Sequence, residues 1–171
     1  MTTNRDREFH DFFAAESERL QRFATLLVGD AAEGADLAQE ALVRAYKHWE
    51  RIKHDSPGPY VRKIVVNLLR SAHRAKKLRA LKPVPAWASE ARPSQGPGDR
   101  VADWMRVSGA LEQLSPMRRA TVLLRFYEDM GEQQIARVLD RPLGTVKSDL
   151  HRALRQLRPL LEEANVGERG S

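Results

Sequence analysis

Lys147, Ser148, His151, Arg152, Arg155 and Arg158 recur at the spacing of one face of a helix, and Val146, Leu150, Ala153, Leu154, Leu157 and Leu161 fall on the other. A cationic face with an apolar back is the build of an element that packs on a small domain and lies in a DNA groove. There Lys and Arg neutralise phosphates and reach base edges, while Ser and His make shorter hydrogen bonds. A second set, Lys63, Asn67, Arg70, Arg74 and Lys77, follows steps of four, three, four and three, again one helical face. One amide among four cations suits a surface that holds phosphates while a neutral group hydrogen-bonds a base edge. For that second set, a solvated basic helix meeting acidic protein or anionic lipid stays open. A third cluster, Asp36, Gln39 and Glu40, forms a compact acidic and amide patch, and its spacing alone favours nothing more than a solvated helix face.

The elements that must position these side chains are all helical. Glu132 to Leu139 reads as a short helix with Ile135 and Leu139 one turn apart and Ala136 small where two helices approach. Asp140-Arg141 makes the corner. Such a corner often needs a left-handed backbone, which Gly adopts freely and Asp tolerates better than most residues. Pro142 fits at or just before the next helix start, Gly144-Thr145 opens that helix, and it is predicted over Thr145 to Leu161. Together these form a helix-turn-helix. Upstream, Val101 to Leu114 reads as a helix offering Val101, Trp104, Met105, Val107, Ser108 and Leu111 to a core. Ser115-Pro116 is a start signal for Met117 to Tyr127, with Val122, Leu123 and Phe126 inward, and Gly131 breaks the chain before the helix-turn-helix.

In the first half, Phe9, Phe12, Phe13, Leu20, Phe23, Ala24, Leu27 and Val28 recur at helical spacing until Gly29-Asp30. Asp30 with Glu33 resembles a capping box for a helix to about Ile52, with Leu42, Ala45, Tyr46 and Trp49 inward. Pro57-Gly58-Pro59 breaks the chain, and a third helix is expected from near Tyr60, with Tyr60, Ile64, Leu68 and Ala72 spaced by four. From Lys82 to Arg100 four prolines and two glycines block helix and central strand, which marks a linker. The predicted fold class is therefore all-α: two small helical domains, 1–81 and 101–171, joined by a Pro/Gly-rich linker at 82–100, the second carrying the helix-turn-helix.

Of 29 basic and 23 acidic side chains in 171 residues, eight basic and no acidic ones fall in residues 61–82, so the net charge of +6 is concentrated where a polyanion is best attracted. No run is apolar enough to span a membrane and the N-terminus lacks the apolar core of a signal peptide, so a cytoplasmic protein without membrane insertion is expected. With no cysteine, disulfides and thiolate metal sites are excluded. Neither a cofactor nor catalysis is expected. An enzyme reading rests only on His10-Asp11 and His54-Asp55, dipeptides that also occur in metal-dependent phosphohydrolases but need further ligands. A stand-alone helix-turn-helix regulator is the other alternative.

Asp36-Leu37-x-Gln39-Glu40, the Asn-bearing basic helix, and the run from Leu114-Ser115-Pro116 through Ile135-Ala136 to Gly144-Thr145-Val146-Lys147-Ser148-x-Leu150-x-Arg152-Ala153 together resemble a bacterial extracytoplasmic-function sigma factor of the sigma-70 family. Tyr60-Val61-Arg62 resembles the actinobacterial branch. The resemblance implies a subunit that binds core RNA polymerase and directs it to promoter DNA. It implies that Asp36, Gln39 and Glu40 contact the polymerase, and that Lys63, Arg70 and Arg74 hold the −10 backbone while Asn67 and Ser71 hold a flipped base. By the same resemblance Lys147, Ser148, His151 and Arg152 read the −35 element, Thr145 and Arg155 lie nearer phosphates, the linker threads the polymerase cleft, and an anti-sigma factor is a candidate partner. Asp149 stands where many members of the family carry Arg, so a charge repelled by phosphate is expected there. Residues 57–82 contain a single aromatic, Tyr60, whereas opening a duplex is helped by several rings on which unstacked bases rest, so weak intrinsic melting is expected.

Overall fold

The computed structural model describes residues 3–80 and 101–166, and side chains are described over residues 3–78 and 107–163. The linker expected at 82–100 lies outside the described residues, as do the side chains of Val101, Trp104 and Met105. Every regular element among the described residues is a helix. By contacts they form two compact units: residues 3–24 with 30–80, and residues 101–166 with Thr25–Gly29.

The first unit is built from α1 (Asn4–Val28) as far as Ala24, α2 (Ala31–Lys47), the single turn α3 (Trp49–Ile52) and α4 (Pro57–Ala80). Gly29 at φ +78° lets the chain leave α1. Asp30 then caps α2, its Oδ1 accepting the Glu33 amide at 2.8 Å, a contact that stabilises such a helix start by about 1 kcal/mol. One stripe of α2 holds Gly34, Ala38, Ala41 and Ala45, all buried. Their small side chains allow α2 and α4 to pack closely, and this pairing dominates the unit.

Several sequence expectations are corrected here. The α2 helix does not run to Ile52 but ends at Lys47, and a bend at His48 (φ −108°, ψ 13°) turns Trp49 and Ile52 inward as α3. Trp49 is a core residue, 3% exposed, with Phe9 edge-on at 5.2 Å and Phe12 at 5.1 Å. Tyr46, expected inward, is 36% exposed, with Phe9 packed edge-on against its ring. Pro57-Gly58-Pro59 starts α4 instead of breaking the chain before it, since proline loses no hydrogen bond in a first turn. The buried face of α4 is Val61, Arg62, Val65, Val66 and Leu69, while Tyr60, Ile64, Leu68 and Ala72 lie half-exposed on its flank. Apolar residues occupy most of this helix's circumference, so spacing alone could not choose between the stripes, and contact with α2 does.

Arg62 is the unexpected member of that core. Its side chain is 3% exposed and its Nη1 donates to Glu16 Oε2 at 2.6 Å and to the Gly58 carbonyl at 3.3 Å, tying α1 to the start of α4. A second tie joins Lys53 to Glu8 and Glu50, each at 2.9 Å. The hydrogen bond from Lys53 holds the Glu8 carboxyl below its ordinary range, and the Glu8 bond raises Lys53.

The second unit comprises α5 (Val101–Glu112), α6 (Pro116–Val122) continued by one π-helical turn over Leu123–Tyr127, α7 (Glu132–Leu139) and α8 (Leu143–Val166). Ser115 takes the cap position of α6 with Pro116 in the first turn, although its side chain makes no capping hydrogen bond. Arg119 closes the end of α5 instead, donating to the carbonyls of Leu111, Glu112 and Leu114, and burial lowers its pKa. The wider π turn re-aims the side chains that follow Val122. Phe126, expected inward, is 60% exposed, and Leu124, 0% exposed, takes the core position. Val107 is likewise exposed, while Leu111 is buried as expected and Ala110 and Leu114 are buried with it.

Candidate nucleic-acid interface

The helix-turn-helix begins at Glu132 and ends its first helix at Leu139, as the residue pattern predicts, with Ile135, Val138 and Leu139 buried. The corner residue Asp140 is left-handed, φ 51° and ψ 51°. Two capping bonds follow: the Asp140 amide donates to Arg137 O at 3.4 Å and the Arg141 amide to Ala136 O at 3.0 Å. Because a β-branched side chain is strained in this conformation, Asp140→Val is expected to lower the stability of the second unit by about 1–2 kcal/mol. Asp140→Gly should leave it equal or higher. Denaturant unfolding of both variants checks this, and equal losses for Val and Gly would show that the left-handed turn is not what the residue supplies.

The second helix starts at Leu143 rather than Thr145 and runs past Leu161, through Pro159, to Val166. Amides of Thr145 and Val146 donate to the Pro142 carbonyl at 3.0 and 3.1 Å, which makes Pro142 the entry residue. Val146, Leu150, Ala153 and Leu157 are buried against the other helices of the unit. Leu154 and Leu161, predicted inward with them, are 44% and 41% exposed. Apolar character extended farther round the helix than the neighbouring helices reach. Thr145, Lys147, Ser148, His151, Arg152, Arg155 and Arg158 are all exposed, so one continuous polar face carries every residue proposed from the spacing. Gly144 adjoins that face, and a Cβ there would meet nothing within 4 Å. The fold itself makes no demand for glycine at this position.

Asp149 corrects an expectation outright. It is no free charge repelled by phosphate but a buried side chain at the border of the polar face, 7% exposed as a residue. Arg141 Nη1 donates to its Oδ2 at 2.7 Å, and Arg118 Nε lies 3.5 Å from its Oδ1. Nothing in the local spacing marked this, because Arg118 lies 31 residues away on α6.

In the first unit, α4 carries Asn67, Ser71, Arg74 and Lys77 exposed, with Lys63 and Arg70 half-exposed beside them on the same face. Arg70 Nη1 lies 3.4 Å from Asn67 Oδ1. The base of Tyr60 is packed into the unit while its hydroxyl accepts from Arg51 Nη2 at 2.8 Å. Asp36, Gln39 and Glu40 are exposed on the face of α2 opposite its alanine stripe, and Glu40 pairs with Arg44 at 2.8 Å. Beside Gln39, α1 and α2 enclose an apolar groove of about 520 Å³ lined by Phe9, Phe13, Leu42, Val43 and Tyr46. Phe13 and Val43 are 44% and 45% exposed. Sequence reasoning missed this groove, since Phe13 shares the periodicity of its buried neighbours.

His10 and Asp11 are exposed on α1, and His54 and Asp55 in the turn before α4. Among the described residues no group of three or more His, Cys, Asp or Glu is arranged to hold a metal ion. No described helix is long and apolar enough to cross a membrane.

Comparison with known proteins covers both units. Residues 12–79 match the family Sigma-70 region 2 and residues 104–157 match Sigma-70, region 4. The chain is 34% identical over 163 residues to the RNA polymerase sigma-E factor of Streptomyces coelicolor, covering 95% of this chain and 90% of that protein. It is 35% identical over 153 residues to the ECF RNA polymerase sigma factor SigL of Mycobacterium tuberculosis, covering 86% and 85%. In fold it is similar to the sigma factor RpoE of Bartonella quintana, crystallised with the anti-sigma factor NepR: TM-score 0.74, 22% identity, 91% of this chain and 98% of that one. Sigma factors as a class are not enzymes, and the exposed basic faces on α4 and α8, Arg158 apart, fall inside the two matched regions. The chain belongs to the extracytoplasmic-function sigma factors of the sigma-70 family, of the actinobacterial type.

Proposed function

We propose that the chain binds core RNA polymerase and directs promoter-specific initiation with a division of labour between its halves: residues 1–81 engage the polymerase and the −10 element, residues 101–171 the −35 element, and residues 82–100 connect them. The observation that carries this reading is a pair of exposed cationic helical faces, one in each matched region, each mounted on a buried apolar back. A stand-alone regulator would use the second unit and leave the first without a role, so the two-region match replaces that reading. The phosphohydrolase reading has only isolated dipeptides behind it. No catalytic step, metal or cofactor is assigned to this chain, and it acts in the cytoplasm beside the chromosome.

On α8, Lys147, Ser148, His151 and Arg152 approach base edges in the major groove, while Thr145 and Arg155 sit nearer phosphates. The open space at Gly144 supports close approach of a DNA backbone to the helix start. On α4, Lys63, Arg70 and Arg74 hold the backbone, and Asn67 and Ser71 bond an unstacked base. Asp36, Gln39 and Glu40 contact the polymerase, and the apolar groove beside Gln39 adds area that an acidic patch alone lacks. An anti-sigma factor that sequesters the chain competes for this same surface.

Run-off transcription with core polymerase tests the reading. The chain should confer promoter-dependent transcripts, bind promoter DNA appreciably only as holoenzyme, and lose −10 recognition on Asn67→Ala. Tyr60 is the lone aromatic of the −10 helix, and its hydroxyl is already engaged by Arg51, so duplex opening should depend strictly on a matched −10 element. Permanganate footprinting on matched and altered −10 sequences measures this. Near-equal opening of the two would refute the assignment, as would tight promoter binding by the isolated chain.

A further inference from the structure

The placement of Asp149 raises a question that the reading face does not answer. A carboxylate in the middle of a DNA-reading helix should weaken binding, yet here it is turned inward and held between two arginines from outside the helix. On the helical wheel of α8, Asp149 lies at the border between the buried stripe and the exposed edge that carries Thr145 and Arg152. Arg141 approaches that border from the helix-turn-helix corner and Arg118 from the first turn of α6. Neither guanidinium is consumed by the pair. Each uses one N–H on Asp149, an arginine carries five donors, and the two side chains remain 31% and 30% exposed.

We infer that Asp149 is a positioning residue that holds Arg141 and Arg118 against the Thr145 and Arg152 edge of α8, where both arginines contact phosphates of the −35 duplex beside the helix that reads it. This inference deepens the −35 assignment and rests on it. Its physical content is a placement of positive charge: position 149 of the recognition helix carries a carboxylate, and the two flanking guanidiniums it holds supply the contact with the backbone. A planar fork suits the task, since one edge can bond the carboxylate while the other faces a phosphate. The ion pair fixes the orientation of each fork before DNA arrives, so less side-chain freedom is lost on binding. Three elements, α6, the corner and α8, are tied through one carboxylate, so the register of the reading face on DNA is coupled to the same contacts.

A merely structural ion pair and a phosphate clamp are distinguished by charge-balanced variants in the reconstituted holoenzyme. Arg141→Gln together with Asp149→Asn removes one charge of each sign. If the arginine only neutralised the aspartate, promoter affinity and its salt dependence would match those of the natural chain. If it touches phosphate, the slope of log K against log salt falls by about 0.9 per lost contact. We expect that drop for Arg141→Gln/Asp149→Asn and for Arg118→Gln/Asp149→Asn, the same on matched and altered −35 sequences. Arg141→Lys should retain the slope, because the charge remains, while losing affinity through the missing fork. Unchanged slopes in both double variants, with folding verified by circular dichroism, overturn the inference. Arg152→Gln serves as the control for the reading face: if it too leaves −35 preference intact, the −35 assignment itself fails, whatever the double variants do. Should Asp149→Asn prevent folding, Asp149→Ala takes its place in both double variants, which stay charge-balanced, and the same slopes decide.

Discussion

Holoenzyme assembled with Lys147→Ala and Arg152→Ala is expected to lose its preference for the −35 element while still binding core polymerase and still unfolding at the temperature of the natural chain. Both side chains are exposed on α8, so neither contributes to the core. Lys147 has a carboxylate in reach, Glu132 at 4.0 Å, but an exposed pair of that length adds little stability. A side chain that makes a well-placed base contact contributes about 1–3 kcal/mol of discrimination, so each change should reduce the ratio of matched to altered −35 binding roughly 5- to 150-fold. The −10 unit remains, and with it residual transcription from promoters whose −10 sequence is well matched. Measuring the ratio for several −35 sequences separates base reading from simple attraction. If the double variant lowered binding to all sequences by one factor and kept their ranking, the face would be a phosphate-binding surface and not a reader.

The second large effect lies away from DNA, at Arg62. Truncating it to alanine removes a guanidinium that is 3% exposed and leaves Glu16 facing an apolar gap between α1 and α4. Breaking a buried pair by removing one partner costs about 3–5 kcal/mol. Glu16 is 32% exposed and can recover water, which places the expected loss at the low end, about 3 kcal/mol. Replacing Arg62 and Glu16 together by methionine should cost much less, because no charge is stranded and the volume is largely kept. The two units need not unfold together, so a single transition for the whole chain is not assumed. Trp49, buried in the first unit, supplies the local probe in a background where Trp87 and Trp104 are phenylalanine. A shift of less than about 1 kcal/mol for Arg62→Ala in the Trp49 transition would mean that Arg62 is buried without holding the unit together. Because α4 carries Asn67 and Arg70 on its far face, the same variant should also weaken −10 recognition at temperatures where the first unit begins to loosen.

What was readable without coordinates was local in origin. The capping of α2 by Asp30, the bounds of α7, the left-handed corner at Asp140 and the exposed row from Thr145 to Arg158 each depend on residues within a few positions of one another. Backbone sterics and helical periodicity act over that range, so the residue types suffice. The basic face of α4 was legible for the same reason. Its inward face was not, because apolar side chains surround most of the helix and only packing against α2 selects Val61, Val65 and Leu69.

Other features were decided solely by tertiary contact. Phe126 points outward because a π turn shifts the register of α6, and Leu154 is exposed because, among the described residues, the packing of α8 leaves that side uncovered. The groove beside Gln39 is lined by α1 and α2 together, which only the tertiary fold brings side by side. The clearest case is Asp149: an acidic residue within the basic stretch from Thr145 to Arg158 reads as a defect in a DNA-binding face until Arg118 and Arg141 are seen to pair with it. A charge takes its role from the partners within a few ångströms, and those partners are brought together from α6 and the corner by the fold.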